Sequence, residues 1–354
     1  MNETKPLAVS SPAADERRRL RTKAIEDFVT QFAPGVNADL LSEMMTTICR
    51  LSVDGTDRGD LKILNTALKE LRYAFKVFAP YREVPKVSMF GSARTPTDHP
   101  QYLQAVRFGE LIQKEGWMVI TGAGDGIMRA GHHGATQASS FGVAISLPFE
   151  QATNTIIADD PKLVMFKYFF TRKLIFVREA TAIALFPGGF GTQDEGFESI
   201  TLVQTVKTEP KPIVMVNEPG GSYWQHWRRY VEDELLRNRM IDVTDLNLFY
   251  ITDKAEDAVA HIMQFYRRYH SCRYVDNRLV LRLNSPVGSQ TLAEIRDAFA
   301  DMIKDGTIEQ QHGPLQGERG VYPDKTRLLM SFDRRSAGRL RMLIDRLNRD
   351  ESAS

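Results

Sequence analysis

Between Lys86 and His270, short apolar runs that end in glycine or proline alternate with longer segments whose apolar residues recur every three or four positions. "KVSMFGS", "WMVITGAGDG", "GVAISLP", "TAIALFPGG", "KPIVMVN" and "LNLFYITD" read as strands. Runs of that length bounded by turn residues fit strands buried on both faces. "YLQAVRFGELIQKEG", "IMRAGHHGATQAS", "GTQDEGFESITLVQTV", "YWQHWRRYVEDELLRN" and "KAEDAVAHIMQFYRRYH" read as helices, and the whole of "PKLVMFKYFFTRKLIFVREA" as one long helix. Strands and helices alternating in this way predict an α/β protein, a Rossmann-like, doubly wound parallel sheet covered on both faces. Such sheets bind ligands beyond the carboxyl ends of their strands. Three candidates for that rim carry glycine: Gly91, the Gly122–Gly126 loop, and Gly188–Gly191.

The pattern differs on either side. Residues 1–22 are polar and small and read as a flexible N-terminus. Residues 23–84 carry apolar positions at helical spacing, as in "ADLLSEMMTTICRL" and "DLKILNTALKELRYAFKVF", and read as a helical extension. Residues 85–270 form the main, Rossmann-like α/β domain of this scheme. Residues 271–350 read as a small α+β domain in which "RLVLRLN" and "RLLMSFD" pair as strands and two helices cover one face. Six arginines in its last helix region, 334, 335, 339, 341, 346 and 349, suggest a solvated face, or else a regulatory anion or nucleotide site or a contact to a partner protein.

Composition changes this picture little. The chain has 354 residues, 42% hydrophobic and 26% charged, with a formal net charge of +1. That balance gives no general attraction to nucleic acid or to a membrane surface, so any anion site must be local. Cys49 and Cys272 suit neither a disulfide framework nor a metal cluster. The amino terminus lacks a signal-peptide core and no apolar run reaches ~18 residues, so a cytoplasmic protein is expected.

Two stretches carry candidate chemistry. In "TGAGDGIMRAG", Gly122, Gly124 and Gly126 let backbone N–H groups approach a ligand, and the following helix start favours a phosphate. The G-x-G-x-G spacing, with no ribose-binding acid at the tip of the next strand, argues against a nicotinamide cofactor. In "ALFPGGFGTQDEGFESI", Pro187 ends a strand and Gly188, Gly189 and Gly191 leave a bare backbone. Thr192 is expected as the N-cap of the next helix, with Glu195 completing a capping box. A carboxylate in that first turn would be held ionised by the helix dipole, and Glu198 falls on the same face. Arg172 and Lys173 stand side by side in an otherwise apolar, aromatic helix, where a guanidinium can clamp a phosphate or a carboxylate. His132 and His133 are adjacent, point in different directions and lack an acidic partner at helical spacing, which argues against a metal site.

"PGGFGTQDE" fits the P-G-G-x-G-T-x-x-E signature of the lonely-guy (LOG) family, phosphoribohydrolases that release the base from nucleoside 5′-monophosphates. "VSMFGSAR" resembles that family's first strand and serine loop, "TGAGDGIMRAGHHGA" its second glycine loop and "FFTRKLIF" its Arg-Lys helix. The likeness runs from Lys86 to Tyr266, and the "LPFEQATN" segment resembles the larger bacterial members. The resemblance implies that Glu195 is the catalytic carboxylate and Arg172 its basic partner. It further implies that Gly188, Gly189, Gly191 and Thr192 hold the 5′-phosphate, that Ser92, Gly122 and Gly124 line the nucleotide pocket, and that Lys173 and Glu198 lie at the substrate. Ala123, Asp125 and Gly196 depart from the family pattern, and Asp125 would set negative charge near a phosphate.

The expected activity is hydrolysis of the N-glycosidic bond of AMP or a cytokinin riboside monophosphate, giving free base and ribose 5-phosphate. No metal or redox cofactor is required for it, and a homodimer is expected. Two other classes stay open on the same fold: a non-catalytic nucleotide-binding or sensing protein, and a molybdenum-cofactor carrier.

Overall fold

The computed structural model describes residues 12–147 and 153–350. The chain divides into two compact units, 1–68 and 69–354. In the first lie α1 (Pro12–Phe32), α2 (Ala38–Val53) and the beginning of α3 (Arg58–Phe78). The expected flexible segment 1–22 is described only from Pro12, where it is already helical. "LPFEQATN" (147–154) is described only at Leu147, Thr153 and Asn154, so the comparison drawn on it lies largely outside the described residues, as does the strand end at Pro148.

A parallel sheet of seven strands organises the second unit. Its strands are β1 (Lys86–Phe90), β2 (Met118–Thr121), β3 (Ser140–Ile145), β4 (Leu163–Phe166), β5 (Ala182–Leu185), β6 (Ile213–Val216) and β7 (Tyr250–Thr252), in the order β4-β3-β2-β1-β5-β6-β7. The helices among them are α4 (Pro100–Lys114), α5 (Ile127–Ala135), α6 (Phe169–Glu179), α7 (Phe190–Gln204), α8 (Tyr223–Tyr230) and α9 (Ala255–Phe265). Successive strand side chains face opposite ways. Ile183 and Leu185 join a core with Phe176 of α6 and Phe78 of α3, whereas Ala182 and Ala184 join one with Phe108 of α4 and Ala258 of α9. This is the doubly wound α/β sheet expected from the pattern. The chain runs outward from β1 to β4 and returns to add β5 on the other side of β1. Loops after β1 and β5 therefore diverge and open a crevice between them.

One element corrects the sequence reading. The stretch assigned to a single long helix is an edge strand, β4, followed by α6. Val164 and Phe166 are buried while Met165 between them is half exposed, a period of two. The Glu70 carboxylate accepts from Lys167 N–H at 2.6 Å and from the Thr171 hydroxyl at 2.6 Å, which fixes the start of α6.

A second sheet, antiparallel, follows: β8 (Tyr269–Val275), β9 (Arg278–Leu283), β10 (Glu309–His312) and β11 (Thr326–Met330), in the order β10-β11-β9-β8. With α10 (Ser289–Ala298) and α11 (Ala337–Arg349) it encloses a core that includes Leu281, Leu328, Leu343 and Leu347. The two expected strands do pair, Leu281 lying opposite Leu328. The other two were hidden: α9 stops at Phe265 and not at His270, and "EQQH" carries no apolar signal. Three of the six arginines have carboxylate partners, Arg339 with Asp301 (2.8 Å), Arg341 with Asp345 (3.0 Å) and Arg346 with Glu294 (2.6 Å). Arg341 is itself buried and so is no part of a solvated face, and Arg334, Arg335 and Arg349 lie outside these three pairs.

Candidate functional site

The crevice holds a cavity of about 510 Å3. The loop after β1 supplies Gly91, Ser92, Ala93 and Arg94, and the loop after β2 supplies Gly122. From the β5 end come Gly189, Phe190, Gly191 and Thr192, while Arg172 on α6 and Glu195 on α7 face inward. Four sequence segments far apart in the chain thus meet at one rim of the sheet.

The glycines differ in what requires them. A Cβ on Gly188 would lie 2.2 Å from the Thr192 hydroxyl oxygen, so the turn itself excludes a side chain there. Gly189 and Gly191 would meet nothing within 4 Å, and neither has a positive φ. Packing does not explain their lack of a side chain, whereas access to their backbone would. Gly122 and Gly124 make room for Met128, whose sulfur or methyl would lie 2.7 and 2.6 Å from the added carbons.

The helix start departs from the expected capping box. α7 begins at Phe190 with Gly189 as its cap and without a side-chain cap bond. The Thr192 and Gln193 N–H groups donate to Gly189 O at 3.0 and 3.1 Å. The next N–H groups outward, on Phe190 and Gly191, have no intrahelical acceptor and stand at the positive end of the helix dipole. Thr192 is accordingly inside the helix, and Glu195 lies past its first turn. Glycine at the cap displaces the Thr192 side chain from that role.

Glu195 is 5% exposed. An Arg172 guanidinium nitrogen lies 3.8 Å from its Oε1, an ion pair longer than a hydrogen bond. Burial pushes the Glu195 carboxyl up to about 7, against the opposing pull of the Lys173 and Arg172 charges. The expectation of a carboxylate held firmly ionised by the helix start is therefore corrected: desolvation outweighs it. Arg172 packs over the rings of Phe169 and Phe176, at 5.0 and 5.6 Å, and its buried Nε has no hydrogen-bond partner among the described residues.

Not every candidate faces this cavity. Lys173 donates to Glu198 at 2.6 Å and pairs with Asp194 at 2.7 Å, and Lys173 and Glu198 line a separate cavity of about 670 Å3 between α6 and α7. Gly188 lines a third, of about 290 Å3, and Gly124 is absent from the lining of the crevice cavity. Asp125 is exposed. His132 is buried, its Nε2 2.9 Å from the Thr121 hydroxyl and 3.1 Å from Phe141 O, and burial lowers its pKa. No group of three or more potential metal ligands occurs among the described residues. Arg94, Met128, Phe176 and Phe190 line the crevice without having been singled out. Arg94 stood in the first quoted loop, two residues past Ser92, and Phe190 occupies the variable position of the glycine signature.

A model of the family described as possible lysine decarboxylase matches residues 123–262. The match is to a LOG-like domain and spans less than half of the chain. The family is of a nucleotide-related, hydrolase type and includes phosphoribohydrolases. No curated protein matches the chain. Among solved structures, the molybdenum cofactor carrier protein from Chlamydomonas reinhardtii is similar at 18% identity and a TM-score of 0.36, over 51% of this chain and 97% of that one. The molybdenum cofactor binding protein from Rippkaea orientalis is similar at 21% identity and a TM-score of 0.36, over 51% and 96%. DNA processing protein A from Helicobacter pylori is similar at 14% identity and a TM-score of 0.34, over 51% and 80%. No described helix is long and apolar enough to cross a membrane.

Proposed function

We propose that the crevice binds a nucleoside 5′-monophosphate and hydrolyses its N-glycosidic bond to free base and ribose 5-phosphate. The observation that carries this reading is the buried Glu195, facing Arg172 beside the uncovered backbone of Gly189 and Gly191. The N–H groups at the start of α7 suit a phosphate, with Ser92, Thr192 and Gly122 around it. Holding that phosphate fixes the sugar against Glu195, so binding energy becomes orientation.

Cleavage of the ribosyl–base bond develops positive charge on the sugar, and an ionised carboxylate beside it stabilises that charge. Water supplies the hydroxyl that bonds to C1′; its proton goes to Glu195 and from there to the base nitrogen whose bond to C1′ has broken, so that one water is consumed and Glu195 returns to the carboxylate. A carboxyl that titrates near 7 serves both as the charge and as the proton acceptor. Arg172 grips the phosphate or steadies the ionised form of Glu195. Lys173 and Glu198, tied to one another outside the crevice, act on the site through α6 and α7 rather than on the substrate.

We also propose that two copies associate through α6, where Phe169, Phe170 and Leu174 are 51%, 55% and 47% exposed. Contiguous apolar surface of that kind marks an interface. Sedimentation at micromolar concentration would show a dimer, and a 40.1 kDa species alone would oppose it.

The test of the activity is incubation with AMP and a panel of other monophosphates, followed by detection of free base. Base release supports the reading and names the base. Tight binding of a monophosphate or of a molybdenum cofactor without base release would favour a binder or carrier instead.

A further inference from the structure

The glycine turn before α7 has two sides, and they are held differently. Pro187 O accepts from Ser92 N–H at 3.2 Å and from the Gln101 side-chain amide at 2.7 Å. Gly188 O accepts from the Tyr223 hydroxyl at 2.6 Å, and that hydroxyl accepts in turn from the Gln193 amide at 2.6 Å. Both carbonyls therefore point to the side of the turn occupied by Gln101 and Tyr223, which line the smaller cavity of about 290 Å3. In a planar trans peptide the C=O and the following N–H point in opposite directions. The N–H groups of Gly188 and Gly189 are thereby turned away from Gln101 and Tyr223. The side they turn away from is the one where Pro187 and Gly188 border the smaller cavity; Gly189, Gly191 and Thr192 border the crevice.

We propose that Tyr223 and Gln101 are positioning residues for the phosphate loop: by holding back the carbonyls of Pro187 and Gly188 they keep the Gly188 and Gly189 N–H groups turned away from the smaller cavity, where they extend toward the anion the row of donors begun by the Phe190 and Gly191 N–H groups of α7. The proposal rests on the reading of the crevice as a phosphomonoester site. Neither residue touches the substrate. Gln101 is the second residue of α4, and Tyr223 the first of α8, so the two helices grip the turn from behind. A free glycine turn would rotate its peptides and offer carbonyl oxygens to the anion, which repel it. Hydrogen bonds to those oxygens remove that alternative.

The test uses the full chain with Tyr223→Phe, Gln101→Met and the double variant, inorganic phosphate and ribose 5-phosphate as inhibitors, and AMP and adenosine as substrates. Tyr223→Phe keeps the ring and deletes both bonds of the hydroxyl, the one to Gly188 O and the one from the Gln193 amide; loss of the first should weaken phosphate binding about fivefold. Inhibition by phosphate and by ribose 5-phosphate should weaken by that factor, with a matching rise in KM for AMP and a smaller change in kcat. The preference for AMP over adenosine should fall in step, and the double variant should weaken further. A merely structural role would depress AMP and adenosine turnover alike and leave phosphate inhibition unchanged, and that result overturns the proposal. If the unaltered protein neither releases base from AMP nor binds either phosphate, the phosphomonoester reading fails and this proposal with it. If the unaltered protein does both and the variants match it, this proposal fails alone.

Discussion

Glu318, beside the second sheet, and Glu195, in the crevice of the first, are both shielded from solvent and both face arginine, yet their carboxyls are driven in opposite directions. Glu318 is fully buried, and burial alone would raise its pKa. The Leu315 N–H (3.0 Å), Arg282 (2.8 Å) and Arg327 (3.1 Å) bond it directly and hold it below the usual carboxylate range. Glu195 has Arg172 only at 3.8 Å, and its carboxyl rises to about 7. A saturated buried carboxylate is a structural fastener. One left short of partners beside a cavity has capacity for a ligand, at a cost to the free protein.

The largest effect expected from this contrast is on stability. Glu318→Gln leaves two buried guanidiniums without their charge partner and should destabilise the second unit by about 3–5 kcal/mol, seen in denaturant unfolding. Since the folded pKa of Glu318 is depressed, its stabilising contribution is present above about pH 4.5 and is lost as pH falls below it. A neutral result would show that the Arg282–Glu318–Arg327 cluster is not the fastener described.

Next in size is Arg172→Ala, which should lower base release by roughly 100-fold while leaving the fold intact, since its guanidinium makes no direct hydrogen bond to Glu195. Smaller is the pH effect. With Glu195 needed as the carboxylate, kcat/KM should fall about tenfold per unit below pH 7 and level off above it. A flat profile from pH 5 to 9 would remove Glu195 from the rate-determining chemistry.

The smallest effect concerns Lys173, whose ammonium joins Asp194 and Glu198, one on either side of Glu195 in the chain. Lys173→Met should move the midpoint of that profile upward by about one unit, because the strongest opposing charge is removed and two acids lose their partner. An unmoved midpoint would mean that Lys173 only fastens α6 to α7.

Local patterns made the parallel sheet readable, because each strand is a short apolar run closed by glycine or proline. They could not separate β4 from α6: Leu163–Phe166 and Phe169–Glu179 are both apolar, and the Glu70 carboxylate that starts α6 comes from a distant helix. β10, with the sequence "EQQH", owes its pairing to β11 and so left no trace of its own. At the crevice, the motif strings brought Arg172, Glu195, Ser92, Gly122, Gly189, Gly191 and Thr192 to one cavity. Lys173 and Glu198 line the neighbouring cavity instead, Lys173 because it follows Arg172 directly on α6 and so points another way, and Glu198 because it is tied to Lys173. The charge state of Glu195 was out of reach, since it depends on burial and on a gap to Arg172 that only the packed helices set.

Glu195→Gln, measured for both turnover and unfolding at pH 8, tests the central claim most directly. The raised folded pKa means that the folded state loses stability as pH rises from about 4.5 to about 7, where the buried carboxyl must ionise. Glutamine avoids that ionisation. The variant should therefore lose at least ~100-fold in base release from AMP and gain roughly 1–3 kcal/mol of stability at pH 8, with the gain vanishing below pH 4.5. Near-normal turnover together with unchanged or lower stability at pH 8 would contradict the account and reduce Glu195 to a packing residue of α7.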